Sequence, residues 1–238
     1  GAQVTAFGER LSGALDTYGS LCVGIDPHAA LLADWGLPAS AAGVREFGLR
    51  VVEAARERVG IVKPQVAFFE RYGSAGFAAL EEVQRAARDA DLIVIADAKR
   101  GDIGSTMDGY AAAWLEPGAP LEADAVTVSP YLGPGSLRGT ITAAARAGKG
   151  VFVLAATSNP EAFGLQSAEV TVVEAQRGQT VADWVAAGVG WANRAAADAG
   201  GLGHVGLVVG ATVDRDELGL THESLRGAPI LAPGFGAQ

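Results

Sequence analysis

The chain has 238 residues, enough for one large core, and its 27 Asp and Glu against 18 Lys and Arg leave a net charge of −9. That balance, with a sequence pI near 4.8, argues against a general nucleic-acid or anionic-membrane surface, so an anionic ligand would have to be held by local cations and backbone amides. The one cysteine, Cys22, cannot close an intrachain disulfide, and His28, His204 and His222 have no metal-ligand spacing. No apolar run reaches the ~20 residues of a membrane helix, and the N-terminus lacks the layout of a signal peptide. A single domain over residues 1–238 in a reducing, cytoplasmic setting is expected.

Taken in order, Val4–Tyr18 has helical apolar spacing (Phe7, Leu11, Leu15), and Leu21–Ile25 reads as a strand followed by an Asp26-Pro27 turn. Ser40 is a suitable N-cap for a helix through Val59 with Val44, Phe47, Val51 and Val52 on one face. Ile61–Val66 is a strand with a lysine inside an apolar run; Lys63 is either a snorkelling edge residue or a site residue. Gly73–Asp89 reads as a helix, Leu92–Ala96 as a strand, Ile103–Leu115 as a helix and Ala125–Val128 as a strand. A helix over Ser136–Ala147 and a strand over Val151–Ala155 follow. Glu161–Thr180 is poorly periodic and reads as an insertion. The rest is a helix over Val181–Ala199, a strand over Val205–Val209, a short helix over Asp214–Leu218 and a strand from Pro229 to Ala232.

Strands alternating with helices imply right-handed βαβ units and a parallel sheet. Polar or ionisable residues follow almost every strand, as the mouth of a closed (β/α)₈ TIM barrel requires, whereas a doubly wound sheet gathers its ligands at one switch point. The barrel is therefore the expected α/β fold. About seven strands can be counted, so the eighth βα unit is expected to be missing from this sequence.

The stretch Leu92–Thr106, LIVIADAKRGDIGST, places Asp97, Lys99 and Asp102 where a buried strand opens into a loop. Residues two apart on a strand share a face, so Asp97 and Lys99 project together, with Asp102 shortly after. A plain ion pair and a helix cap would also account for them, but the carboxyl end of a buried strand is where α/β folds build sites. Gly201–Gly206 matches G-x-G-x-x-G yet leads into a strand, the wrong context for a dinucleotide site. Pro233–Gln238 is glycine-rich backbone after the seventh strand and suits either an ordinary loop or a phosphate site.

With these pieces in place the chain resembles the orotidine-monophosphate decarboxylase family, and more closely its bacterial type 2 branch. The segments that carry the resemblance are GIDPH (Gly24–His28), VKPQVAFFE (Val62–Glu70), ADAKRGDIGST (Ala96–Thr106), TVSPYLG (Thr127–Gly133) and ATSNP (Ala156–Pro160). The resemblance implies a dimeric (β/α)₈ barrel that converts orotidine monophosphate to uridine monophosphate with no metal or cofactor. Lys63, Asp97, Lys99 and Asp102 would form the charged network at the reacting carbon, with Lys99 as proton donor. Asp26 and Lys63 would hold ribose hydroxyls, Ser158 the pyrimidine and Gln238 the phosphate. Asp102 and Thr106 would reach into the neighbouring subunit's site.

The family grips phosphate with an arginine after its eighth strand, which this sequence does not contain. Either the protein continues past Gln238, which is the expectation, or the barrel is truncated and inactive. Two rival functions stand beside the decarboxylase. One is a magnesium-dependent decarboxylase or aldolase acting on sugar phosphates in the same superfamily; the other is a barrel that binds a phosphate ligand without turnover.

Overall fold

A computed structural model of the protein describes residues 4–234. The described residues divide into two compact units: Arg10–Ala98 with Gly109–Thr127, and residues 4–9 with Lys99–Asp108 and residues 128–234. Seven strands follow one another in the sheet in chain order. Among the registered neighbours every pair is parallel, as βαβ crossovers demand.

The first half of the chain runs α1 (Phe7–Tyr18), β1 (Cys22–Ile25), α2 (Ala29–Asp34), α3 (Ala41–Ala55), β2 (Ile61–Pro64), α4 (Val66–Glu70), α5 (Gly73–Asp89), β3 (Ile93–Arg100), α6 (Gly104–Leu115) and β4 (Ala125–Val128). Strand β4 is a short, largely aliphatic run with all four residues buried, as covering on both faces requires, whereas β1 is only partly buried. Helix α3 begins where Ser40 Oγ accepts a hydrogen bond from the Gly43 amide at 3.2 Å. It buries Val44, Phe47 and Val52, and Gly48 lets α5 come close, since a Cβ there would stand 2.6 Å from Val83 Cγ2. The helix stops at Ala55 rather than Val59, because Arg56 leaves helical backbone and Glu57 turns left-handed at φ 59°.

Two short helices escaped the sequence reading. Helix α2 is capped by His28, whose Nδ1 accepts from the Leu31 amide at 3.3 Å. Helix α4 occupies Val66–Glu70, so β2 ends at Pro64. Elements this short give too few turns for a period to register. At the start of β3, Asp124 is a buried carboxylate that accepts from the Val94 amide at 2.9 Å and from the Arg10 guanidinium at 2.5 Å, fastening α1 to the strand.

The second half runs from a 3-10 turn (Pro134–Leu137) into α7 (Arg138–Ala147), β5 (Gly150–Ala156), α8 (Phe163–Gln166), α9 (Val181–Gly190), α10 (Arg194–Asp198), β6 (Val205–Val209) and β7 (Ile230–Leu231). Strands β5 and β6 pair from Val151↔Val205 onward, with an irregularity between Leu154 and Ala156. The expected insertion over Glu161–Thr180 contains α8, two single 3-10 turns and an isolated antiparallel bridge, Glu169↔Thr180.

The continuous helix expected over Val181–Ala199 is broken by a 3-10 turn at Trp191–Asn193. Asn193 explains the break. Its buried amide donates to the Val205 carbonyl at 2.7 Å and accepts from the Val205 amide at 3.1 Å, a strand-like pairing that draws a polar residue inward and re-phases the helix. The short helix expected over Asp214–Leu218 is absent; Asp214 Oδ1 instead accepts from the amides of Asp216 and Glu217, and this local alternative supports turns in place of helix. The glycines of Gly201–Gly206 serve packing: a Cβ at Gly203 would strike Asn193 Oδ1, and one at Gly206 the Phe152 ring. No helix among the described residues is long and apolar enough to cross a membrane.

Candidate functional site

Strand β3 carries the charged stretch and is longer than the sequence reading, which ended it at Ala96. The strand continues to Arg100, so Asp97 and Lys99 lie within its bounds. An isolated parallel bridge, Gln65↔Asp97, carries pairing past the apolar run, and the Ser129 amide donates to the Arg100 carbonyl at 2.8 Å. Ladder hydrogen bonds are made by backbone, so they persist where the side chains turn ionic.

Asp97 is buried, with 8% of its surface exposed. Its Oδ2 accepts from Lys63 Nζ at 3.1 Å and its Oδ1 from the Thr127 hydroxyl at 2.8 Å. Lys63 comes from β2, where it is half-buried and in register with Gly24 of β1. A carboxylate and an ammonium at such depth are tolerable because each meets the other. Lys63 is thus a paired interior residue, not a snorkelling edge lysine.

Asp26 folds back over the strand it follows: a Cβ at Gly24 would stand 2.3 Å from Asp26 Oδ2. Glycine at that position makes room for the carboxylate beside the strand paired to Lys63. Cys22 lies on the same strand, and burial pushes its thiol up to about 11. Lys63 pulls that value down while Asp97 and Asp26 push it up, so one thiol feels all three charges.

Lys99 is exposed and sits at φ 50°, in the left-handed region. A non-glycine residue there is strained by about 1–2 kcal/mol. Such strain at the mouth of a strand belongs with sites where side-chain aim matters. Gly101 then passes close to the next loop, since a Cβ would meet the Ser129 carbonyl oxygen at 2.6 Å. Asp102 Oδ1 accepts from the Ile103 amide at 2.7 Å, just ahead of α6, and Thr106 is exposed in that helix's first turn.

Ser158, after β5, is exposed and abuts Gly210 after β6, where a Cβ would come within 2.9 Å of its own Cβ. It lines a cavity of about 200 Å³ with Thr157, Asn159, Phe163, Asp214 and Glu217. Gln238 lies outside the described residues. Lys63 and Asp97 are therefore in contact with each other, and Asp26 follows the end of β1, the strand paired to β2; Lys99, Asp102 and Thr106 follow along β3 and α6; Ser158 belongs to the cavity after β5.

Thr127 has no part in the site read from the sequence. Its signal was present: it is the one hydroxyl in the otherwise apolar, fully buried AVTV strand, and a buried polar group needs a partner.

A profile of the orotidine 5'-phosphate decarboxylase / HUMPS family matches residues 19–238. The orotidine 5'-phosphate decarboxylase of Corynebacterium glutamicum (strain R) is 51% identical over 232 residues, covering 98% of this chain and 80% of that protein. That of Salinispora arenicola is 52% identical over 233 residues, with the same coverage. A Streptomyces avermitilis crystal structure described under the same decarboxylase name superposes with a TM-score of 0.89 at 50% identity, covering 99% of this chain and 79% of that one. The chain belongs to the orotidine 5'-phosphate decarboxylase / HUMPS family and has its α/β barrel fold.

Proposed function

We propose that this protein removes carbon dioxide from orotidine 5'-monophosphate to give uridine 5'-monophosphate, as a single barrel domain in the cytoplasm, without metal or cofactor. The observation that carries the reading is the ionic run on β3: Asp97, buried and held by Lys63 and Thr127, with Lys99 two residues on along the same strand. Family relatives named for this decarboxylase, identical at about half of all positions, support the reading.

The chemistry asks for such a run. Loss of carbon dioxide with no electron sink leaves a localised carbanion at the pyrimidine carbon, so the site must place a fixed cation where negative charge develops. Lys99 supplies that cation and donates the proton to the carbon as carbon dioxide leaves. Asp97 stands beside the substrate carboxylate and, with the partner's Asp102, orients Lys99 by attraction between opposite charges. Asp26 and Lys63 take the ribose hydroxyls, Ser158 the pyrimidine and Gln238 the phosphate. The protein acts as a homodimer in which Asp102 and Thr106 complete the partner's site.

The test is the fall in orotate absorbance when the purified protein meets orotidine 5'-monophosphate in excess chelator. Turnover in chelator is the expected result. Loss of activity on chelation and recovery with magnesium would instead favour a metal-dependent sugar-phosphate enzyme, and binding of uridine monophosphate without turnover a binding protein.

A further inference from the structure

We propose that Thr127 is a positioning residue for this reaction: its hydroxyl fixes the orientation of the Asp97 carboxylate. The inference rests on the decarboxylase reading above and names a residue to which that reading gives no role.

Three observations carry it. First, the Thr127 hydroxyl lies 2.8 Å from Asp97 Oδ1 while Lys63 Nζ lies 3.1 Å from Oδ2. The two carboxylate oxygens are held by donors from two different strands, β4 and β2, and that arrangement resists rotation of the carboxylate plane. Second, Thr127 is buried, 1% exposed, between buried Val126 and Val128. A hydroxyl at that depth costs free energy unless it is bonded, so its placement is explained by the acceptor it meets. Third, threonine is β-branched, and on a strand its χ1 has few choices. Neighbours packed around its methyl group therefore aim the hydroxyl as well.

The consequence is functional because Asp97 works by where its charge stands. Close to a substrate carboxylate and to Lys99, its effect on the reacting carbon depends on small displacements. Without the Thr127 hydroxyl the carboxylate keeps Lys63 on Oδ2 but loses the donor 2.8 Å from Oδ1. Thr127 is buried, so it steadies the carboxylate without touching the substrate.

The test compares Thr127→Val, which keeps shape and branching but deletes the hydroxyl, with Thr127→Ser, which keeps the hydroxyl. Each is assayed for orotidine 5'-monophosphate turnover and for thermal midpoint. Expected is a fall in kcat of about tenfold or more for Thr127→Val, with KM changed much less, and a kcat for Thr127→Ser within about threefold of the parent. A Thr127→Val protein with the parent's kcat overturns the proposal, as does an equal loss in both variants, which would assign the role to packing. If Thr127→Val fails to fold, Thr127→Ala takes its place, and activity equal to that of Thr127→Ser counts against the hydroxyl. A parent protein that consumes no substrate refutes the decarboxylase reading itself, whereas an active parent with an unaffected Thr127→Val refutes only the role of Thr127.

Discussion

Lys63 and Asp97, 34 residues apart in sequence, meet as a salt bridge at 3.1 Å, with side chains 17% and 9% exposed. Removing one partner leaves the other charge buried with less compensation, so the pair is sensitive to single substitutions. Lys63→Ala is expected to cost about 2–3 kcal/mol of folding stability by urea denaturation and to lower turnover severely. A loss below about 0.5 kcal/mol would show the pair to be as weak as an exposed one.

Lys99 separates chemistry from strain. Lys99→Ala is expected to abolish turnover and leave the fold intact, because the side chain is exposed; a variant retaining most of its activity would sink the mechanism. Lys99→Gly should be equally inactive but more stable than Lys99→Ala by about 1 kcal/mol, since glycine relieves the φ of 50° that alanine keeps. Urea midpoints of the two inactive proteins measure the difference.

The shared site can be tested with two dead subunits. A homodimer of Asp102→Asn and one of Lys99→Ala should each be inactive, while mixing them under conditions of subunit exchange should restore up to about one site in each mixed dimer. Failure of mixed dimers to regain activity counts against a site completed across the interface.

Cys22 makes a pH prediction. Its thiol is raised from 9.0 to about 11, first by burial. The folded form thus keeps its proton over a range where the unfolded chain has lost it. The corresponding stability is fully present below pH 9 and is lost as pH rises from about 9 to about 11, by about 2–3 kcal/mol in all. Cys22→Ala should flatten the fall in stability over that window relative to the parent. The native thiol should also react slowly with iodoacetamide at pH 8 and speed up on unfolding.

Asn193 is the structural counterpart of the site residues. Asn193→Ala removes both bonds to Val205 and is expected to cost about 2–3 kcal/mol, read as a lower urea midpoint. A change under about 0.5 kcal/mol would show that β6 does not depend on this contact.

Strand positions were legible because strands buried on both faces read as unbroken branched-aliphatic runs; Ala125–Val128 and Val205–Val209 have the same bounds in sequence and structure. Gly73–Asp89 likewise keeps its ends, being long enough for its period to register. Illegible were the short helices α2 and α4, the break at Trp191–Asn193 and the continuation of β3 through Asp97 and Lys99. Each depends on a partner elsewhere in the chain or is too short to show a period. The sequence by itself determined that charged side chains cluster at the mouth of a buried strand in an α/β chain, since that pattern is local. Only the tertiary structure decided that Asp97 pairs with Lys63 and Thr127, and that Asn193 binds Val205. A hydrogen bond between residues far apart in sequence exists only once the backbone has placed donor and acceptor about 3 Å apart, and no local spacing records that distance.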